Sequence, residues 1–484
     1  MRLQVGFVAA VLLLGGPACR RAAETPKKIP ITTSSAEARD AFLKGRDLVG
    51  KLRLTEAQPL LNEAVSKDPS FALAHLYLAQ TAETPKDFFD HLKAAVTVAG
   101  KVSEGERLYI QGVEAGANGD TKLRGECYQK LVAAFPDDEV AHMMLGTHYN
   151  GIQKFDEAVA EYRKAVQLAP GFAPAYNQLG YALRELEKNQ EAEDAFRRYI
   201  ELIPNEPNPY DSLAELQMKM GRFAESIDSY KKALSMNPQF FSAYRGVAAN
   251  LMYQDKHKEA LEQLQKAYGL ATSDGEKRQL LFAMAVCYMD GNKLKDAIDS
   301  INRISALAEQ RGDKALMAGN AATRAELLLN AGKIKEAEAE YAKSMELVQQ
   351  ADIPDKVKKN VELSSHGGKA LVASAKKDFK TAKAEAEIMR AGFEESGNPN
   401  QIREAHEVLG IIALNEKNYD DAVAQLTQAN AQSPYVMFQL AKAYAGKKDK
   451  DNSKTYYRKA AEAYILPDIE YAMIRQQAKK AMAK

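Results

Sequence analysis

The sequence predicts an all-α protein laid out as a solenoid of repeated helix pairs. Three observations lead there. Hydrophobic residues make up 46% of the chain and charged residues 27%, with no Trp and no run of β-branched and aromatic residues of the kind that fills a sheet core. Prolines fall at Pro136, Pro170, Pro204 and Pro238, each 34 residues after the last. Between them the apolar positions keep helical spacing. In "FDEAVAEYRKAVQLAPGFAPAYNQLGYAL", residues 155–183, one amphipathic helix stops at Pro170 and another starts within a few residues.

At 484 residues the chain is too long for one ordinary compact core, so it holds either several domains or an elongated array of small units. The 66 basic and 65 acidic residues nearly cancel. That balance argues against nucleic acid as a partner, because a general nucleic-acid binder needs a basic excess to displace counterions.

The N-terminus differs from the rest. Arg2 precedes the apolar run "VGFVAAVLLLGG", which is too short to span a bilayer stably and has the proportions of a signal-peptide core. Then comes "PAC", with Ala18 just before Cys19. This segment resembles the lipobox of bacterial lipoproteins, with Gly16 and Pro17 departing from its usual residues. The resemblance implies that residues 1–18 are cleaved as a signal peptide and that Cys19 becomes the lipidated N-terminus. Ordinary cleavage is the alternative, leaving a soluble periplasmic protein with Cys19 as an incidental thiol. Arg20 rather than Asp follows Cys19, which in a Gram-negative host is compatible with the outer membrane. Residues 19–35, including the Pro-containing "RRAAETPKKIPITTSS", read as a flexible tether.

The repeat is clearest in unit 139–172, "EVAHMMLGTHYNGIQKFDEAVAEYRKAVQLAPGF", with Leu145, Gly146, Tyr149, Ala158, Tyr162, Ala165 and Pro170 as landmarks. The next unit repeats them as Tyr176, Leu179, Gly180, Ala192, Phe196 and Pro204, and the next as Tyr210, Leu213, Ala214, Tyr230, Ala233 and Pro238. Unit 403–436 carries Leu409, Gly410, Ala422, Ala429 and Pro434, and Pro69 closes a similar unit near the start. Small residues such as Gly146 and Ala158 let two antiparallel helices approach closely, and Tyr149 and Tyr162 fill the space between successive turns. Proline ends the second helix, and Gly221 caps the first helix of its unit in the left-handed region. This pattern resembles the tetratricopeptide repeat. The resemblance implies a right-handed superhelical solenoid of about ten helix-turn-helix repeats, finished by a C-terminal capping helix.

Units near 72 and 105 are degenerate. From about 272 to 402 the spacing lengthens: Ala297, Ala337, Ala382 and Ala422 lie 40, 45 and 40 residues apart. Longer helices are expected there, one of them in "PDKVKKNVELSSHGGKALVASAKK". A seam near "TSDGEK" divides the chain into an N-terminal solenoid, 36–272, and a C-terminal part, 273–484, with longer repeats and a polar capping helix at 468–483.

No catalytic, metal or cofactor site is expected. The seven histidines are scattered, and His142 and His148 fall on different faces of a helix. "SHGGKA" at 365–370 lacks the rest of a phosphate loop and reads as a close helix contact. Cys127 and Cys287 sit in apolar helical surroundings and read as buried small hydrophobes.

Solenoids of this resemblance offer a concave groove lined by the first helix of each repeat, at roughly its second, fifth, ninth and twelfth positions. Carried over, these give a groove that includes Asn150, Asn177, Tyr181, Arg184, Asp211, Glu215 and Arg245, a mixed-charge track able to hold a peptide. The lysine and asparagine of the family's carboxylate clamp are replaced here by pairs such as Met143/Thr147 and Asn177/Tyr181, which disfavours acidic chaperone tails. The expected function is a non-enzymatic scaffold of the bacterial envelope, exported to the periplasmic side and lipid-anchored to the outer membrane, with a protein or peptide in its groove. The alternative is a small-ligand-binding or catalytic protein whose pocket lies within 278–402 and converges on His366.

Overall fold

The computed structural model describes residues 27–483; the signal-peptide and Cys19 readings lie outside the described residues. Among these, every regular element is helical, with no strand. Twelve antiparallel helix pairs follow one another, and a final helix, Ile469–Met482, ends the chain. The count exceeds the expected ten because the degenerate units near 72 and 105 and the long-repeat region all form complete pairs.

The landmark residues do what their sizes require. A Cβ placed on Gly146 would lie 2.7 Å from Cε1 of Tyr162, and one on Gly180 would lie 2.5 Å from Cε1 of Phe196. Both first helices therefore rest on an aromatic ring of their own second helix, where only hydrogen leaves room. The aligned alanines Ala158, Ala192, Ala297, Ala337, Ala382 and Ala422 are all fully buried. Tyr149 packs against the apolar clusters on both of its sides, bridging one pair to the next. Cys127 and Cys287 are free and buried.

The prolines mark pair boundaries: Pro136, Pro170, Pro204 and Pro238 each follow the residue that caps a second helix. Their carbonyls have a use as well. The Pro136 carbonyl lies 3.1 Å from Nε2 of His142, and the Pro204 carbonyl accepts from the Tyr210 hydroxyl at 3.1 Å, six residues downstream in both cases. Pro434 differs from its expected role. The second helix of pair eleven is only Tyr419–Leu426, and Pro434 is the first residue of the next helix, where its missing N–H costs nothing. Gly221 follows its helix at φ +73°, the left-handed cap expected of it.

Helices lengthen where the repeat does. Those of pairs four to seven, from Glu139–Gly151 to His257–Leu270, have 12–14 residues; those of pair eight, Asp274–Asp290 with Leu294–Gln310, and pair nine, Lys314–Asn330 with Ile334–Gln350, have 17, and Asp355–Ala375, the first helix of pair ten, has 21. The position proposed as a seam holds a capping box, Ser273 with Glu276, that opens the helix Asp274–Asp290. Apolar packing runs through it: one buried cluster includes Met218, Leu264, Leu281, Ile301, Phe438 and Ile474.

Two further features depart from expectation. Residues 27–35, read as part of a tether, lie along the N-terminal pairs. The Ile29 N–H donates to Asp138 at 2.8 Å, the Thr32 N–H to Glu106 at 2.8 Å and the Thr33 hydroxyl to Asp68 at 2.6 Å. Carboxylates at two helix starts, Glu106 and Asp138, and one at a helix end, Asp68, accept from this polar segment, so it is held. The last helix is also not a polar, solvated cap. It packs against the first helices of pairs eight, nine and twelve and buries Ile469, Tyr471, Met473, Ile474 and Arg475.

That burial is held by charge. Arg475, 1% exposed, donates through Nε and Nη2 to the two carboxylate oxygens of Asp290, both at 2.6 Å, and Nη2 also bonds the Met252 carbonyl at 3.0 Å. Asp290 meets Nε2 of His257 at 2.6 Å as well. Burial works against the Asp290 charge, but the bonds from Arg475 and His257 outweigh it and hold the carboxyl below its ordinary value. Just before the helix, Tyr464 packs edge-on against Phe223 and Tyr253, and the Ile465 carbonyl accepts from the Tyr253 hydroxyl.

The later pairs also lie against the earlier ones. Asn360 Nδ2 donates to the Asn118 carbonyl at 3.1 Å, Asn398 Nδ2 to Gly119 at 3.2 Å, Asn400 Nδ2 to Gly151 at 3.0 Å and Arg403 Nη2 to Ile152 at 3.2 Å. The acceptors are carbonyls at the C-terminal ends of first helices, which have no partner inside their own helix. Side chains from a distant part of the chain satisfy them.

Arg475→Ala should destabilise the protein by about 3–5 kcal/mol, because it strands the Asp290 carboxylate in a buried place. Urea unfolding measures the loss, and faster amide exchange across 469–482 would locate it in the last helix. An unchanged midpoint would remove the anchor from this account.

Candidate functional site

The first helices of pairs five, six and seven, Ala173–Glu185, Asn208–Lys219 and Phe241–Tyr253, stand side by side. Positions three and four apart share a helix face, so Asn177, Tyr181 and Arg184 align on one helix and Asp211 and Glu215 on the next. The structure joins them. Ser212 Oγ donates to Asn177 Oδ1 at 2.9 Å, and the Tyr181 hydroxyl donates to Ser212 Oγ at 3.3 Å. Arg184 lies over the Tyr181 ring, 4.7 Å from its centre, and its Nη1 donates to Glu215 at 3.2 Å. Arg245, on the third helix, donates to Gln279 at 3.3 Å and faces Asp211 as a neighbouring charge.

Four of the expected groove residues, Asn177, Tyr181, Arg184 and Glu215, are thus joined by direct contacts, with Asp211 and Arg245 beside them as neighbouring charges. Asn150 stands apart, one pair earlier: its Oδ1 is buried with no hydrogen-bond partner, and no bond connects it to the strip.

Asp211 is the unusual member. It is 5% exposed, and its Oδ1 has no hydrogen-bond partner. Burial, then the charge of Glu215, push its carboxyl well above the usual range, with Arg245 pulling the other way. Burial likewise raises Glu215, opposed by Arg184. Burial disfavours the Arg184 charge, but Glu215 and Glu185 more than restore it. A buried acid whose carboxyl is held above its ordinary range, beside an ion pair and a stacked Tyr–Arg couple, offers polar groups and a flat face within one short stretch.

Two participants were not anticipated. Ser212 links Asn177 to Tyr181, and Lys219 donates to the Arg184 carbonyl at 3.1 Å and to Glu185 at 3.3 Å. Ser212 carried a signal: it lies 35 residues after Asn177, one more than the repeat period, which sets it against the preceding helix. Lys219 sits beyond the four lining positions and had none.

A second concavity lies in the C-terminal half. It is a cavity of about 480 Å³ lined from pairs nine to twelve and the last helix, and Ser364, Ser365, Gly367 and Gly368 are on its wall. It does not converge on His366, whose Nδ1 is instead 2.6 Å from Glu385 on the second helix of its pair. His142 with Glu161 and His406 with Gln425 repeat this contact at the same separation, so these histidines tie first helices to second ones. "SHGGKA" is the close contact expected: a Cβ on Gly368 would lie 3.0 Å from Cε1 of Tyr341, and one on Gly367 would lie 2.9 Å from Sδ of Met389.

Family profiles described as tetratricopeptide repeat match residues 42–88, 125–171, 143–207, 208–240 and 434–464. The chain thus carries tetratricopeptide repeats at these positions. No curated protein matches it. Among solved structures it is similar to MamA, with 28% identity over 33% of this chain and 92% of that one and a TM-score of 0.29. A tetratricopeptide repeat protein from Parabacteroides merdae shows 15% identity over 56% of this chain and 94% of its own, with a TM-score of 0.36. PilW, a type IV pilus biogenesis factor, shows 18% identity over 42% and 92%, with a TM-score of 0.34.

The raised Asp211 carboxyl fixes the sign of a pH effect. A folded value above the unfolded one contributes stability below the unfolded value, near 3.8, and loses it as the pH rises. Asp211→Asn should therefore raise the melting temperature at pH 8 relative to the parent, with a smaller gain at pH 5. Glu215→Gln, which strips Arg184 of a partner, should lower it at both. A lower melting temperature for Asp211→Asn at pH 8 would mean that the acid is ionised in place.

Proposed function

We propose that the protein is an envelope scaffold that holds an extended or helical segment of a partner protein along the strip formed by Asn177, Tyr181, Arg184, Asp211, Glu215 and Arg245. Tetratricopeptide-repeat proteins are in general non-catalytic scaffolds that bind proteins or peptides, and the fold supports that class of role. The observation that carries the site is the buried, unpartnered Oδ1 of Asp211 beside the Arg184–Tyr181 couple. Asn250 Oδ1, on Phe241–Tyr253, is likewise buried without a partner, but at Asp211 a peptide N–H or amine would also meet the Arg184–Tyr181 couple. Only the side bearing the first helices of the N-terminal pairs is offered, since the last helix covers the corresponding side of pairs eight and nine.

The proposed location follows from residues 1–19: export through the signal peptide, lipidation at Cys19, and residence on the periplasmic side of the outer membrane. With residues 27–35 laid along the N-terminal pairs, only 20–26 would separate the lipid from the solenoid, a reach of roughly 20–25 Å when extended. A scaffold so anchored would lie close to the membrane.

Crosslinking in intact envelopes followed by affinity capture should recover a stoichiometric partner protein, lost or strongly reduced when Tyr181 and Arg184 are both replaced by Ala. An unchanged partner profile in that variant would reject the strip as the binding site. Labelled palmitate should enter the parent protein and not Cys19→Ser; equal label in both would reject the anchor.

A further inference from the structure

The cavity of the C-terminal half goes beyond this scaffold reading and does not depend on it. Its wall carries four carboxylates from three helices: Glu326 on Lys314–Asn330, Glu404 and Glu407 on Pro399–Glu416, and Glu470 on Ile469–Met482. None of the four makes a hydrogen bond or an ion pair with another described residue, although surface carboxylates throughout the molecule do. Glu326 and Glu407 are recessed, with protein on nearly every side, yet their side chains border open space rather than packed atoms. Lys442 is the one basic side chain on the wall. It does not neutralise them: its Nζ donates to Gln439 at 3.1 Å and lies 5.7 Å from the centre of the Phe438 ring.

We propose that this cavity binds a small organic amine bearing two or more positive charges, whose ammonium groups meet Glu326, Glu404, Glu407 and Glu470 while Tyr341 and Tyr435 cover its methylene chain. Three considerations select that chemistry. A volume of about 480 Å³ falls in the range of small-molecule sites. No three acidic, His or Cys side chains among the described residues converge closely enough to hold one metal ion, so the negative charge suits an extended cation rather than a compact one. Aromatic rings beside carboxylates serve alkylammonium groups through their faces. The last helix, held by Arg475, forms part of the wall, which favours a small molecule over a folded partner.

The cavity resists its own charge. Burial first, and then the charges of Glu470 and Asp468 with the other glutamates, lift Glu326 and Glu407 to about 8, and burial with Asp468 lifts Glu470 to about 7, while Glu404 is exposed at the rim. Tyr341, Tyr435 and Lys442 are the other titratable groups facing them, and only Lys442 can be positive. A bound polycation supplies the missing charge, so the carboxyls release protons as it binds. Affinity rises from pH 6 to pH 8.5, over which the carboxyls ionise while alkylamines stay protonated.

Isothermal titration of the full chain with spermidine at 150 mM salt tests the proposal. The expected result is a single site, with proton release shown by a heat that depends on the buffer's ionisation enthalpy, and affinity at least about tenfold weaker in Glu326→Gln/Glu407→Gln. That variant should fold, because neutralising the two acids relieves repulsion, and circular dichroism checks it. Tetralysine distinguishes the source of the amine: binding by spermidine alone fits a free small molecule, and tighter binding by tetralysine overturns the small-molecule assignment. No spermidine binding at pH 8.5, equal binding by the folded variant, or displacement by equimolar magnesium would overturn the proposal.

Discussion

The structure depends on one close approach, repeated along the chain: a first helix settling on the ring or branched side chain of its own second helix. Gly146 on Tyr162, Gly180 on Phe196 and Gly410 on Leu426 are three instances, each leaving room for a hydrogen and nothing larger. A pair made this way still has apolar surface on both flanks, and each neighbour covers one of them. Tyr149 shows the second step, reaching two clusters at once. Stability is therefore spread over many similar interfaces, and the prolines between them set where one pair hands over to the next.

Nearest-neighbour stacking alone would leave an open-ended rod. Two long-range devices prevent that. Asn360, Asn398, Asn400 and Arg403 satisfy the carbonyl ends of earlier helices, converting groups that would otherwise need water into contacts between successive parts of the solenoid. At the end of the chain, Arg475 draws the last helix onto pairs seven and eight through Asp290 and the Met252 carbonyl. A buried charge pair is weak evidence of stability in itself, but it is demanding about geometry, and here it sets the register of a helix against partners about two hundred residues earlier. The consequence is an asymmetry between the halves: a polar strip on the N-terminal first helices, and a walled cavity in the C-terminal pairs.

Much of this was legible beforehand. The period, the small residues at the close approach and the lengthened helices after residue 272 all follow from spacing, since residues at fixed separations meet the same neighbour in every pair. What was misread has a common cause. The last helix looked polar because Arg475, Gln476, Lys479 and Lys480 dominate its composition, yet Arg475 faces inward onto Asp290. Residues 27–35 looked like a tether because they are polar and contain a proline, yet their N–H and hydroxyl groups match carboxylates at the ends of helices further along the chain. In both cases composition was read without the partner.

The sequence by itself determined the unit: two helices, their lengths, their boundaries and the face each turns to its neighbour, because those are local properties set by a few residues at fixed spacing. Only the tertiary structure decided how the units return upon one another, and so which glutamates of pairs nine and eleven and the last helix share a cavity. Each pair adds a small rotation to the one before it. No single residue encodes the sum, but the sum decides which distant surfaces meet.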